Sequence, residues 1–220
     1  MLPGSAGFDP TAGQVACQIR HYKFMGVAMI KYAAAGALVT LMYVAAAAAP
    51  TTFTLTSPDL PAGKAIGAQF TADTWGCHGA NESPELKWVN APPGTKSFAV
   101  TMFDPYRPPV SGWWHWLVYD IPATTTELPR KAGTPGSPGM PQGARQVKPD
   151  GEAPEPHYYG PCPDEGDPPH HYTITVYALN VDHLKVPETA TPADIDSEIF
   201  AKMIGKAQLV RLYSRPKKTE

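Results

Sequence analysis

The chain is 220 residues long, 43% hydrophobic and 17% charged, with a formal net charge of −2. That length can bury one sizeable core, and the near balance of charge, without a lysine–arginine run, excludes nucleic acid as an expected partner. Its 26 prolines and 19 glycines favour turns and short strands over long helices.

Residues 1–24 carry little hydrophobic periodicity. Met29-Ile30-Lys31 then opens an apolar run over residues 32–44, followed by alanine from 45 to 49. A charged start, an apolar middle and an A-x-A exit are the grammar of a secretory signal peptide. The expectation is a signal peptide with an over-extended N-terminus over residues 1–48, Met29 being an alternative start, and one domain over residues 49–220. Cleavage is expected after Ala47 or Ala48, and the mature chain is expected to be periplasmic or secreted. The rival reading is an uncleaved membrane anchor, for which the run is short and only weakly hydrophobic. No cysteine follows the run, so a lipoprotein anchor is not indicated.

Past the leader the chain reads as all-β with one or two short helices. Strands are expected over residues 53–56, 64–71 and 85–89, with Ala91-Pro92-Pro93-Gly94 a turn. Residues 96–103 alternate apolar side chains on both faces, as a strand buried on both sides does. A tight Ser111-Gly112 turn precedes the next strand, 113–121, on which Trp113, His115, Leu117 and Tyr119 share one face by the period of two. Residues 124–155 read as a long Pro/Gly-rich loop, and 171–179 as a central strand. Thr191-Pro192-Ala193-Asp194 is a helix start. Ile195, Ile199 and Met203 form its apolar stripe, Gly205 its end, and residues 208–213 a last strand. Many short strands between Pro/Gly turns predict a sandwich of antiparallel sheets.

Export changes how the cysteines are read. Cys17 falls in the leader, leaving Cys77 and Cys162 as an even pair. A disulfide between them closes a loop of about 85 residues, worth about 4–5 kcal/mol on the chain-entropy model. The alternative is a zinc site from Cys77, His78, Cys162 and His170, at spacings that match no common zinc pattern.

Two proline-stiffened loops each deliver a histidine to the mouth of a strand. The first is Asp104-Pro105-Tyr106-Arg107-Pro108-Pro109, leading to Gly112-Trp113-Trp114-His115-Trp116. The second is Gly160-Pro161-Cys162-Pro163, leading to His170-His171-Tyr172. Proline cannot extend a helix and pushes its predecessor towards extended backbone. These motifs, with the weaker Asn81-x-Ser83-Pro84-x-Leu86-x-Trp88, resemble the phosphatidylethanolamine-binding protein family, also called Raf-kinase-inhibitor-like proteins, in its bacterial YbhB/YbcL-like branch. The resemblance covers residues 53–213 and implies a PEBP-like antiparallel β-sandwich with short flanking helices. It also implies a small anion pocket for phosphate-type groups or phospholipid headgroups. Carried over by motif position, its ligand-binding residues are Asp104, His115, Gly160, Pro161, Pro163, His170, Tyr172 and, by position near the C-terminus, Tyr213. Exported members of the branch carry cysteines at both motif positions, which supports the bridge.

The chemistry agrees with that expectation. Imidazole and phenol donate to phosphate oxygens, protonated histidine adds charge, and backbone N–H groups around Gly160 can point at an anion. Asp104 would repel a phosphate directly, so its expected role is to orient and charge a histidine or to meet an ammonium head. An ordinary imidazole titrates at about 6.5, so anion affinity is expected to fall as pH rises. Where the family loop usually reads D-P-D-x-P, this chain has Tyr106 and then Arg107, which favours anions and weakens ammonium recognition.

The expected partners are a small anionic or phosphorylated ligand and a protein partner, with membrane contact only through a lipid headgroup and a homodimer left open. No cofactor or metal is expected, and no enzymatic activity. Two alternatives stand beside this. One is a protein-interaction module, a protease or kinase inhibitor with a vestigial pocket. The other is an ester or phosphoester hydrolase built on Asp104, His115 and Ser111, for which no G-x-S-x-G elbow is present.

Overall fold

The computed structural model describes residues 51–106, 112–149 and 153–217, all within the unit Ala48–Glu220. The expected signal segment, Arg107 and Ser111 lie outside the described residues. Eight strands form: β1 (Thr54–Thr56), β2 (Leu86–Val89), β3 (Ser97–Asp104), β4 (Trp113–Pro122), β5 (Glu127–Leu128), β6 (Arg145–Gln146), β7 (His170–Leu179) and β8 (Met203–Tyr213). One α-helix, α1 (Pro192–Lys202), precedes β8.

Two antiparallel sheets result. The small one runs β1-β2-β5 and the large one β6-β4-β3-β7-β8. The main core joins Leu55, Leu86, Trp88 and Leu128 of the small sheet to Phe98, Val100, Met102, Trp116, Ile174 and Val176 of the large one. A second core on the opposite face of the large sheet packs Ala99, Leu117, Tyr119, Tyr177 and Leu179 against Ile195 and Ile199 of α1. β3 therefore lies between two layers and is buried along nearly its whole length, as its two-sided apolar pattern predicts. The capping box of α1 forms as its sequence reads: Asp194 N–H donates to the Thr191 hydroxyl (3.2 Å), and Thr191 N–H donates to the Asp194 carboxylate (2.9 Å).

Several expectations are corrected. Residues 64–71 do not form a strand but contain a single 3-10 turn, Ala68–Phe70. The alternation was real only in its anchors: Ile66 and Phe70 are buried while Ala68 is exposed. The backbone meets the large sheet's edge at one bond, Ile66 N–H to the Leu212 carbonyl. The loop 124–155 holds the two-residue strands β5 and β6, too short for any period to register. Gly205 does not end the helix. The chain passes straight from Lys202 into β8, and Gly205 instead lets the strand approach Pro92, whose Cγ would stand 2.6 Å from an added Cβ.

The most consequential correction is in β4. Met102 pairs with Trp116 and Phe103 with Trp114, so His115 is the extra residue of a β-bulge. Its insertion reverses the alternation. Trp113 and His115 face one way with Trp116 and Val118, while Leu117 and Tyr119 turn to the helix side. Trp113, His115, Leu117 and Tyr119 therefore do not share a face.

Candidate functional site

Antiparallel pairing brings the end of β3 and the starts of β4 and β7 to one edge of the large sheet. Asp104 is paired with Trp113 across β3 and β4, and His170 opens β7. A cavity of about 280 Å³ opens there. Its lining includes Asp104, His115, Gly160, Pro163, His170 and Tyr172 from the expected set, together with Cys162. Pro161 and Tyr213 are not among its lining residues. Tyr213 stands opposite His170 in the β7–β8 register and packs against the main core. Trp75, Asp164 and Asp167 also line the cavity. Asp164 and Asp167 lie within the second motif loop at positions where the motif specifies no residue, and Trp75 lies on a loop that only the tertiary fold brings round.

The polar side chains are anchored from behind. His170 Nδ1–H donates to Asp104 Oδ2 at 2.7 Å, with both side chains buried. The other Asp104 oxygen accepts the Tyr106 N–H at 2.9 Å. The Nε2 of His170 is buried without a hydrogen-bond partner among the described residues, and the nearest carboxylate, Asp167, stands 3.5 Å away. His115 Nδ1–H donates to the Tyr159 carbonyl at 2.8 Å. Because a carbonyl only accepts, the proton of neutral His115 sits on Nδ1, and Nε2 becomes a donor only in the imidazolium. Trp113 stands edge-on to His115 at 4.5 Å, and Tyr172 packs against the same ring at 5.1 Å. Tyr106, in place of the usual family acid, sets its ring against His170 at 4.7 Å. Of the residues of the hydrolytic alternative, Asp104 holds His170, and Ser111 lies outside the described residues.

The loop at Gly160 works differently from its expected role. Its N–H donates to the Asn81 side chain at 2.8 Å rather than into the cavity, and Pro161 and Pro163 have no N–H. Glycine is required for close approach: an added Cβ would collide with the backbone of Phe70, Thr71 and Ala72. Asn81, in the left-handed backbone region (φ 51°), also donates to the Tyr158 carbonyl at 3.3 Å, so its amide clamps 158–160 from both ends. Ser83 accepts the Gly133 N–H at 2.8 Å. The weaker third motif is thus a buttress of the site rather than part of its lining. Cys77 and Cys162 form a disulfide, which takes up the two sulfurs of the alternative zinc set. Arg215 braces the same junction, donating to the carbonyls of Gly76 (2.9 Å) and Pro163 (3.3 Å) and pairing with Glu165 (2.7 Å).

Tyr158 and Tyr172 are fully buried beneath the site. Burial pushes both phenols far above the ordinary tyrosine range, and the Asp104 charge pushes Tyr172 further. A folded-state pKa raised above its unfolded value of about 10 contributes stability that is complete below that pH and lost as pH rises past it. Alkaline titration of tyrosinate absorbance should therefore give the same curve for the wild type and Tyr158→Phe until the chain unfolds. A missing phenol in the variant at lower pH would contradict this.

The comparisons with known proteins follow this geometry. Residues 56–214 match the family described as phosphatidylethanolamine-binding protein. YbcL of Escherichia coli K12 is 38% identical over 174 residues, covering 79% of this chain and 93% of YbcL. The crystal structure of E. coli YbcL superposes with a TM-score of 0.69 at 40% identity, over 74% of this chain and 98% of that one. E. coli K12 YbhB is 37% identical over 161 residues, 73% of this chain and 99% of its own. A Mycobacterium tuberculosis protein named as a lipoprotein, LppC, is 33% identical over 158 residues, 71% of this chain and 70% of its own. With the antiparallel sheets, the Asp104–His170 pair and the Gly160 loop in place, the chain belongs to the phosphatidylethanolamine-binding protein family, in its bacterial YbcL/YbhB branch.

Proposed function

We propose that this chain is an exported, non-enzymatic binding protein whose cavity holds a small ligand by an oxyanion of the phosphate type. The observation that carries the reading is the buried Nε2 of His170, which has no hydrogen-bond partner among the described residues while Nδ1 is tied to Asp104. A buried polar atom of this kind calls for an account, and an anionic oxygen supplies one. The carboxylate of Asp104 supports the imidazolium, which then donates from both nitrogens. His115 and Tyr172 stand on the same cavity wall. Asp164 and Asp167 at the same cavity repel a bare dianion, so a phosphoester carrying an ammonium group should bind more tightly than inorganic phosphate. Export is supported by the disulfide, by the leader-like sequence and by the lipoprotein name of the related LppC.

Isothermal titration with phosphate, phosphoserine and glycerophosphoethanolamine tests this. Phosphoserine and glycerophosphoethanolamine should each bind more tightly than inorganic phosphate, since Asp164 and Asp167 can meet their ammonium groups. His170→Ala should lose about tenfold to a hundredfold in affinity, the worth of one charge-assisted hydrogen bond. No measurable binding of any of the three, or an unaffected variant, would overturn the reading. The protein-interaction alternative would then lead.

A further inference from the structure

A second cavity, of about 370 Å³, shares Trp75 with the first among its lining residues. Trp75 and Gly160-side residues wall the first cavity, and Trp75, Tyr159 and His157 wall the second, so the Trp75 indole is common to both. Trp75 is 40% exposed although it is the largest side chain of its loop. Its backbone sits at φ 54°, in the left-handed region that bulky residues seldom occupy. Such conformations persist where the surroundings over-determine them, and they cluster at binding sites. Here the surroundings are identifiable. The ring meets Trp113 edge-on at 5.7 Å and Tyr159 at 5.6 Å, and the neighbouring Cys77 is bridged to Cys162.

The lining of the second cavity narrows the chemistry it can take. Unlike the first cavity it holds no histidine backed by a carboxylate, since His157 Nδ1 is engaged with the Tyr158 carbonyl at 2.6 Å; with no lysine or arginine among its lining residues and the carboxylate of Asp73 present, an anion is disfavoured. Thr74, Thr134 and His157 add a few polar groups to a wall otherwise made largely of proline, alanine and aromatic side chains, which suits a ligand that has both apolar and polar faces. Asn81 is only wall, because its amide is engaged with Tyr158 and Gly160. His157 is stacked on Tyr159 at 4.0 Å and 22°, so one face of that phenol is covered and Trp75 remains the open aromatic platform. A flat aromatic face beside a carboxylate and hydroxyls, which between them accept and donate, suits a ring with apolar C–H faces and a polar hydroxyl rim.

We infer that the cavity bounded by Trp75, Asp73, Thr134 and His157 is a binding site for a neutral polyhydroxylated ring, a sugar. The ring stacks on the Trp75 indole. Asp73 accepts from ring hydroxyls, and Thr74 and Thr134 bond to the remainder of the rim. The site is separate from the oxyanion cavity and does not require its histidines.

Amide and indole N–H resonances of the 15N-labelled chain, titrated with glucose, galactose and N-acetylglucosamine, test the assignment. At least one sugar should shift the Trp75 indole and the Thr134 and His157 amides, with a dissociation constant on the order of 1 mM. Asp73→Asn should weaken that binding at least about fivefold. Trp75→Gly should abolish it, and glycine adopts the left-handed backbone without strain. His170→Ala should leave it unchanged, so a failure of the oxyanion reading and a failure of this one are told apart. If none of the three sugars moves these resonances, the inference is overturned. The same holds if tetramethylammonium moves them and the sugars do not, or if Asp73→Asn and Trp75→Gly both bind sugar like the wild type.

Discussion

Asp104→Ala is expected to lose on the order of 1–3 kcal/mol of stability, the range for leaving buried hydrogen-bonding groups unsatisfied by removing their partner. Asp104 is 3% exposed. Its carboxylate is the acceptor for both His170 Nδ1–H and the Tyr106 N–H. Without it, His170 loses its one side-chain hydrogen bond among the described residues and keeps only the 3.5 Å approach of Asp167 to Nε2, so the buried imidazole carries much of its desolvation penalty. The cost should appear as a lower midpoint in urea at unchanged slope, since the surface exposed on unfolding does not change. Asp104→Asn separates two roles. It keeps one acceptor oxygen for Nδ1–H while its NH2 would face the Tyr106 N–H, so it should destabilise less than alanine, yet it removes the charge that supports the imidazolium and should weaken anion binding nearly as much as His170→Ala. A double-mutant cycle with His170→Ala should yield a coupling energy of about 0.5–3 kcal/mol. An Asp104→Ala loss below about 1 kcal/mol with no coupling would mean that the pair is not the keystone of this edge of the sheet.

Replacing Cys77 and Cys162 together by alanine should cost about 2–5 kcal/mol. The bridge spans a sequence separation of 85, which reduces the freedom of the unfolded chain by an amount equivalent to about 4–5 kcal/mol on the chain-entropy model. The effect reaches beyond stability, because Cys162 lines the oxyanion cavity and Cys77 follows Trp75 by two residues. Arg215 partly offsets the loss, since its guanidinium holds both Gly76 and Pro163. Arg215→Ala should therefore be milder in the oxidised protein than in the cysteine-free variant. Denaturation of all four combinations measures this. Additive losses would show that the brace and the bridge act independently.

Much of the site was legible in the sequence because its determinants are local. Proline and glycine rigidity marked both loops, and aromatic and β-branched runs marked β3, β4 and β7. The capping box of α1 is written in four consecutive residues. The strand mouths suggested two walls of a pocket, and the family resemblance, carried over by motif position, proposed Asp104, His115, His170 and Tyr172 as its residues. What stayed illegible depends on partners distant in the chain. The bulge at His115 arises from pairing with β3, and a period of two cannot foresee an inserted residue. The N–H of Gly160 looked available until Asn81, 79 residues earlier, was found to hold it. β5 and β6 exist only because β2 and β4 offer edges, and residues 64–71 fail as a strand because the sheet edge takes only one of their backbone groups. Local stiffness and residue type therefore determined which segments form strands and which carry chemistry. Pairing, burial and the competition for hydrogen-bond donors decided which of those groups meet in the cavity, because they are settled by whichever partner the whole fold brings within reach.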